Sequence, residues 1–217
     1  DYDAMVTKAR GIRALFEGNP LVRADTVKIF ADGVLEGNPL ADPPTLPNGA
    51  TLASMLQPRF LTDGQGVLRL AGYVDTDSAD CVAERARASG PSDAEVKAFV
   101  AAHGFHPQQC AVSHGQLQHE APVIMEFARR FHGAGFNLHI HAIGDRAVRT
   151  AVDAIEAARQ ADGNSSTRDG LAHVQLAHPE DVARMGRDHL YIAYTYAWAN
   201  VEHDYDKIGR ASCRERV

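Results

Sequence analysis

The sequence predicts an α/β protein built on a parallel sheet. Two observations carry that prediction. From about residue 120 onward, short apolar strand-like runs alternate with amphipathic helical segments, the pattern of right-handed βαβ units. Two of those runs also carry a histidine near their C-terminal ends, where α/β proteins collect ligands and catalytic groups. The composition agrees: 217 residues, 45% hydrophobic and 23% charged, with a formal net charge of −6, suit one soluble-type domain or one domain with an insertion. No stretch approaches 18 consecutive apolar residues, which excludes a membrane-spanning helix. An acidic balance without a basic run argues against a nucleic-acid surface. Cys81, Cys110 and Cys213 are widely spaced and do not read as a disulfide framework.

The elements follow in order. Residues 4–17 place apolar side chains at helical spacing and stop at Gly18-Asn19-Pro20. Thr26 to Ala31 reads as a strand closed by Asp32-Gly33. Residues 36–92 are rich in Pro, Gly, Asp and Thr without a sustained period, so a lid or insertion with short helices is expected. Ser92 followed by Glu95 is a capping-box start for a helix through His103. A second amphipathic helix spans 120–134, with Gly133 and Gly135 at its end. Then come a strand from Asn137 to Ala142, a helix from Asp145 to Arg159, and a strand from Gly170 to Leu176. A short helix from Pro179 to Met185 and a strand from Leu190 to Tyr196 complete the series.

The ends are read separately. The chain opens at Asp1 with no initiator Met and no apolar signal-like stretch, as expected of an internal piece, and a cytoplasmic location is favoured. Residues 208–217, IGRASCRERV, match one reading frame of a common sequencing-adapter DNA. They are expected to be a scar, leaving 1–207 as the native part.

In Leu138-His139-Ile140-His141, alternation sends both histidines to one face of the strand. His173 sits similarly on the next strand. Neighbouring strands lie about 4.8 Å apart, so imidazoles from two of them can meet one metal ion. The alternative is a hydrogen-bonded histidine pair in a polar interior. Lys28 lies within an apolar strand, on the face of Phe30 and Asp32. Pointing inward it needs a partner such as Asp32, or a neutral state. A neutral lysine can also capture CO₂ as a carbamate, which turns a cation into an anionic oxygen ligand. His103, His106, Cys110, His114 and His119 cluster before the helix at 120; a structural zinc at His103, His106 and Cys110 is one reading, and a lining of the site's mouth by some of them is the other. His132, His178, His189 and His203 read as exposed or capping.

Three segments together carry a family resemblance: VKIFADG (27–33), HIHAIGDRAV (139–148) and LAHVQLAHPEDVARMG (171–186). They resemble amidohydrolase family 3, the YtcJ-like branch of the metal-dependent amidohydrolase superfamily, from about Ala24 to Tyr196. The resemblance implies a partial (β/α)₈ TIM barrel, about strands four to seven, with an insertion between strands four and five. It implies hydrolysis of non-peptide C–N bonds (amide, formamide or N-acyl) in small-molecule substrates, with one or two divalent metals, zinc first. Lys28, carboxylated, would end the fourth strand, with His141 and His173 as ligands on the fifth and sixth. Gly144 would make the tight turn, with Asp145 capping the next helix. His114, Tyr196 and Trp198 would line the substrate pocket. Ala172 stands where a Glu commonly precedes the sixth-strand histidine, and Thr195-Tyr196-Ala197-Trp198 departs from the usual Ser-x-Gln-Pro. The superfamily's first-strand His-x-His and eighth-strand general-base Asp are expected outside this piece, because only 27 residues precede Lys28 and 11 follow Tyr196 before the tail. The piece itself is therefore expected to be inactive, and the full-length enzyme a possible homodimer. The competing readings are a non-catalytic binding domain that kept the barrel, or a small complete α/β protein with the structural zinc.

Overall fold

A computed structural model describes residues 1–35, 41–65 and 68–194. The tail at 208–217, with Cys213, and His203 lie outside the described residues. In chain order the elements begin with helix α1 (Tyr2–Leu15), strand β1 (Thr26–Phe30), strands β2 (Pro58–Thr62) and β3 (Leu68–Tyr73), and helices α2 (Ala79–Arg85) and α3 (Asp93–His103). After a 3-10 turn at Pro107–Cys110 come α4 (Ala121–Gly133), β4 (Asn137–Ala142), α5 (Asp145–Asp162), β5 (Gly170–His173), α6 (Pro179–Arg187) and β6 (Tyr191–Ala193). The chain divides into two units, one of Asp1–Gly33 with Gln116–Thr195 and the other centred on Val34–Gly115.

The first unit is a four-stranded, wholly parallel sheet in the order β1-β4-β5-β6. Each strand pairs with the next one in the unit, as successive βα units require. Alternation along β4 buries Leu138, Ile140 and Ala142 completely. Helix α5 adds a buried stripe of Ala147, Val148, Ala151, Val152, Ile155 and Ala158, the spacing of one helical face. Each buried Leu, Ile or Val contributes about 1.5–3 kcal/mol. Gly170 permits the close pairing of β5 with β6, because a Cβ there would lie 2.3 Å from the Tyr191 carbonyl oxygen.

A polar network ties the N-terminal side of this sheet together. Asp169 is fully buried and accepts from the Leu138 amide (2.9 Å), Arg159 Nε (2.9 Å) and Thr167 Oγ1 (2.5 Å). The Thr167 hydroxyl thus donates its hydrogen bond to Asp169, so His132 Nε2, 2.9 Å from the Thr167 oxygen and 3.3 Å from Asp169 Oδ2, is a donor. His132 Nδ1 faces Asp162 Oδ2 at 2.6 Å. The ring is an imidazolium held between carboxylates, and hydrogen bonding to Asp169 raises its pKa. Burial pushes the Asp169 pKa up, but the bonds from His132, Thr167, Leu138 and Arg159 outweigh it and hold it at about 2. The expectation that His132 is exposed or capping is therefore corrected: it is 1% exposed.

In the second unit, β2 and β3 form an antiparallel hairpin with a register shift between Arg59 and Phe60. Residues 36–92, expected to be a lid or insertion with some short helices, hold this hairpin as well as α2, and Arg69 Nε lies 2.6 Å from Asp63 Oδ2. The capping box of α3 forms as predicted, Ser92 accepting from the Glu95 amide and Glu95 from the Ser92 amide. Cys81 and Cys110 are joined by a disulfide, against the expectation of no disulfide framework. The bridge packs with Val74, Phe99 and Phe105. Arg85 braces it by donating to the carbonyls of Thr76 and Cys110.

Candidate metal centre

The site is assembled at the C-terminal ends of β1, β4 and β5. Alternation turns His139 and His141 to the face opposite Leu138 and Ile140. Registers place Lys28 beside His139, Phe30 beside His141, and Ala142 beside His173. The His141 ring lies 4.7 Å from the His173 ring, edge to face, and 5.1 Å from Phe30. His141 Nε2 is 3.1 Å from the Gly33 carbonyl oxygen. A carbonyl only accepts, so Nε2 carries a hydrogen and Nδ1 is the ring nitrogen left for another partner, the orientation by a second partner typical of metal-binding histidines.

His173 is the last residue of β5, and its backbone turns left-handed there. His173 has φ 80° and Val174 φ 46°, uncommon for any side chain and an outlier for a β-branched one. Such residues cost on the order of 1–3 kcal/mol each and cluster at functional sites. The reversal is pinned by the Val174 amide donating to Ala142 O and the Leu176 amide to Ile143 O, both at 2.9 Å.

The electrostatics favour neutral rings at His173 and His139. Burial, then the positive neighbours His141, Lys28 and His139, push the His173 pKa down to about 4. Burial and Lys28 also lower His139. Lys28 itself is lowered by partial burial. It does not point into a core as its sequence context suggested: it lies on the exposed face of β1, its Nζ 5.4 Å from the Phe30 ring centre. Imidazole nitrogens suit a borderline divalent cation. As an ammonium Lys28 offers no lone pair; as a carbamate it would offer two oxygens. Among the described residues no three His, Cys, Asp or Glu side chains gather around a common point.

Asp32 is the residue sequence reading undervalued. It is 1% exposed, and its two oxygens accept from the amides of Ile143 and Gly144, each at 2.9 Å. Its Oδ1 is 3.6 Å from His141 Nε2. One carboxylate after β1 thus clamps the β4–α5 turn directly behind His141. The expected cap by Asp145 is corrected: Gly144 is the N-cap of α5, and Asp145 Oδ1 accepts from the adjacent Arg146 amide at 3.0 Å. Asp145 begins the helix itself and so cannot be its cap.

His114 is exposed in the second unit, its carbonyl bonded by the Thr51 amide. Tyr196 and Trp198 lie outside the described residues. The structural zinc at His103, His106 and Cys110 is overturned, because the Cys110 sulfur is oxidised in the bridge to Cys81 and supplies no thiolate. His106 instead caps the 3-10 turn, its Nδ1 accepting from the Gln108 amide at 3.1 Å. His178 caps α6 as expected, and His189 is exposed.

Comparison with known proteins gives three likenesses and a family. The chain is 35% identical over 68 residues to the exoenzymes regulatory protein AepA of Pectobacterium carotovorum subsp. carotovorum, a match covering 30% of this chain and 14% of that protein. It is similar to a solved uncharacterized metal-dependent hydrolase from Pyrococcus furiosus, with 18% identity and a TM-score of 0.46 over 87% of this chain and 26% of that one. A second such hydrolase, from Pyrococcus horikoshii OT3, gives 16% and 0.47 over 97% and 31%. The chain thus spans under a third of each of these proteins. Residues 90–199, just over half of the chain, match the Amidohydro_3 amidohydrolase family, and they include β4, β5 and both paired histidines. The chain belongs to the amidohydrolase family.

Proposed function

We propose that this chain supplies metal-holding strands, the fourth to seventh of a (β/α)₈ barrel, in a hydrolase of non-peptide C–N bonds in small molecules. The observation that carries the reading is the His141–His173 pair, with ring centres 4.7 Å apart at adjacent strand ends. His141 and His173 would hold the ion through neutral ring nitrogens, and carboxylated Lys28 would complete the set. Held by these residues, a divalent ion would supply Lewis acidity toward water and a substrate carbonyl. The Gly33 carbonyl fixes the tautomer of His141, and Asp32 fixes the turn behind it. The left-handed reversal at His173 sets the direction in which its side chain leaves the strand end. Residues 34–115 enter the sequence between β1 and β4 and are read as an insertion of the barrel.

Titrating the chain with Co²⁺ while following histidine ring protons by NMR tests the metal site. The expected result is that His141 and His173 broaden first and that His141→Ala and His173→Ala each abolish the effect at the other ring. Uniform broadening of all histidines, or first broadening at His103 or His106, overturns the reading.

A further inference from the structure

We propose that the second unit carries a binding site for a small organic carboxylate, in the cavity between β2 and α3. The cavity measures about 520 Å³, within the range of small-molecule sites. Its walls are apolar, with Phe60 from β2, Val96 from α3, and Phe105 just beyond α3. Phe105 is itself backed by Phe99 edge to face at 5.4 Å and by the Cys81–Cys110 bridge. Three cationic or donor groups share the lining: Arg59, Lys97 and His106. The acidic residue among them, Asp42, has a side chain 92% exposed and 3.9 Å from His106 Nε2.

Arg59 is the anchor. In the same unit Arg69 is matched by Asp63, Arg87 by Glu84 and Glu95, and Arg85 by two carbonyls. Arg59 has no carboxylate partner among the described residues; Nη2 donates at 3.3 Å to the His103 carbonyl, and Cζ lies 5.5 Å from the Phe105 ring. Its Nε–H is buried with no hydrogen-bond acceptor there. A permanently charged guanidinium with a buried idle donor is poorly satisfied without an anion. A carboxylate is the matching acceptor, because its two oxygens fit the planar fork, and the Phe60, Val96 and Phe105 walls suit an apolar body attached to it. Lys97, exposed on α3, adds attraction at the mouth.

The test is NMR titration of the ¹⁵N-labelled chain with phenylacetate, its neutral isostere phenylacetamide, and inorganic phosphate. Phenylacetate is expected to give saturable shifts at Arg59 Nε–H and the Gly104 amide, with phenylacetamide and phosphate each at least tenfold weaker. Arg59→Met should weaken phenylacetate at least tenfold, and Lys97→Gln severalfold. Should Arg59→Met not fold, Lys97→Gln and the acid–amide comparison still decide. Equal affinity for phenylacetamide would mean a merely apolar hole, and equal affinity for phosphate a general anion site. Either result overturns the proposal, as does full binding by a folded Arg59→Met variant.

Discussion

Replacing Asp32 with alanine removes the acceptor of two buried amides at once. Ile143 and Gly144 each donate to it at 2.9 Å, and the carboxylate is 1% exposed. A hydrogen bond to a charged group contributes about 1.5–3 kcal/mol net, and the two orphaned donors have no solvent to turn to. The expected loss is therefore about 3–5 kcal/mol, a large share of the 5–15 kcal/mol typical of a whole domain. Asp32→Asn is expected to cost about half as much, because it keeps one acceptor while turning an NH₂ toward the other amide. Urea unfolding measures the total, and hydrogen exchange at Ile143 and Gly144 measures the turn itself. Unfolding free energy within about 1 kcal/mol of the parent, or unchanged protection at both amides, refutes the clamp.

Further expectations concern the other devices of the fold. For the His132–Asp169 pair the signs oppose. The raised pKa of His132 gives stability present below about pH 6.5 and lost as pH rises through its folded value. The lowered pKa of Asp169 gives stability present above its unfolded value and lost as pH falls through about 2. This pair should thus be most stabilising between about pH 4 and 6.5, and His132→Gln should flatten the alkaline side of that profile in thermal melts; an unchanged profile counts against the imidazolium. Reducing the Cys81–Cys110 bridge, with its sequence separation of 29, should destabilise the Val34–Gly115 unit by about 3–4 kcal/mol. Hydrogen exchange should report the loss around α2 and α3 while β4 and β5 keep their protection.

Local chemistry was legible in the sequence. The box at Ser92 and Glu95 starts α3, and period-2 alternation gave β4 its exact span and the shared face of His139 and His141. What escaped was non-local, or contrary to local preference. Strand β5 stops at His173 rather than Leu176 because the backbone reverses into left-handed values that no sequence propensity favours for His-Val. Asp32 looked like the close of a strand, and its partners lie 111 and 112 residues away. Cys81 and Cys110 are brought together by folding around Val74 and Phe105, which their spacing does not announce. His132 was readable after all. It belongs to the buried stripe Ile124, Ala128, Phe131, His132 of α4, the i, i+4, i+7, i+8 positions of one helical face.

The Cys81–Cys110 bridge has a consequence for where the chain folds. The sequence holds three cysteines, and the bridge consumes two of them. A denatured but unreduced chain carrying the bridge therefore exposes at most one titratable thiol, and a reduced one exposes three. Protein bridges persist in oxidising compartments and are scarce where glutathione keeps thiols reduced. Counting thiols on freshly isolated chain thus records the redox history of its folding. A count of three fits the cytoplasmic origin that the sequence favoured, and a count of one fits an oxidising compartment, in which this covalent tie is the stable form.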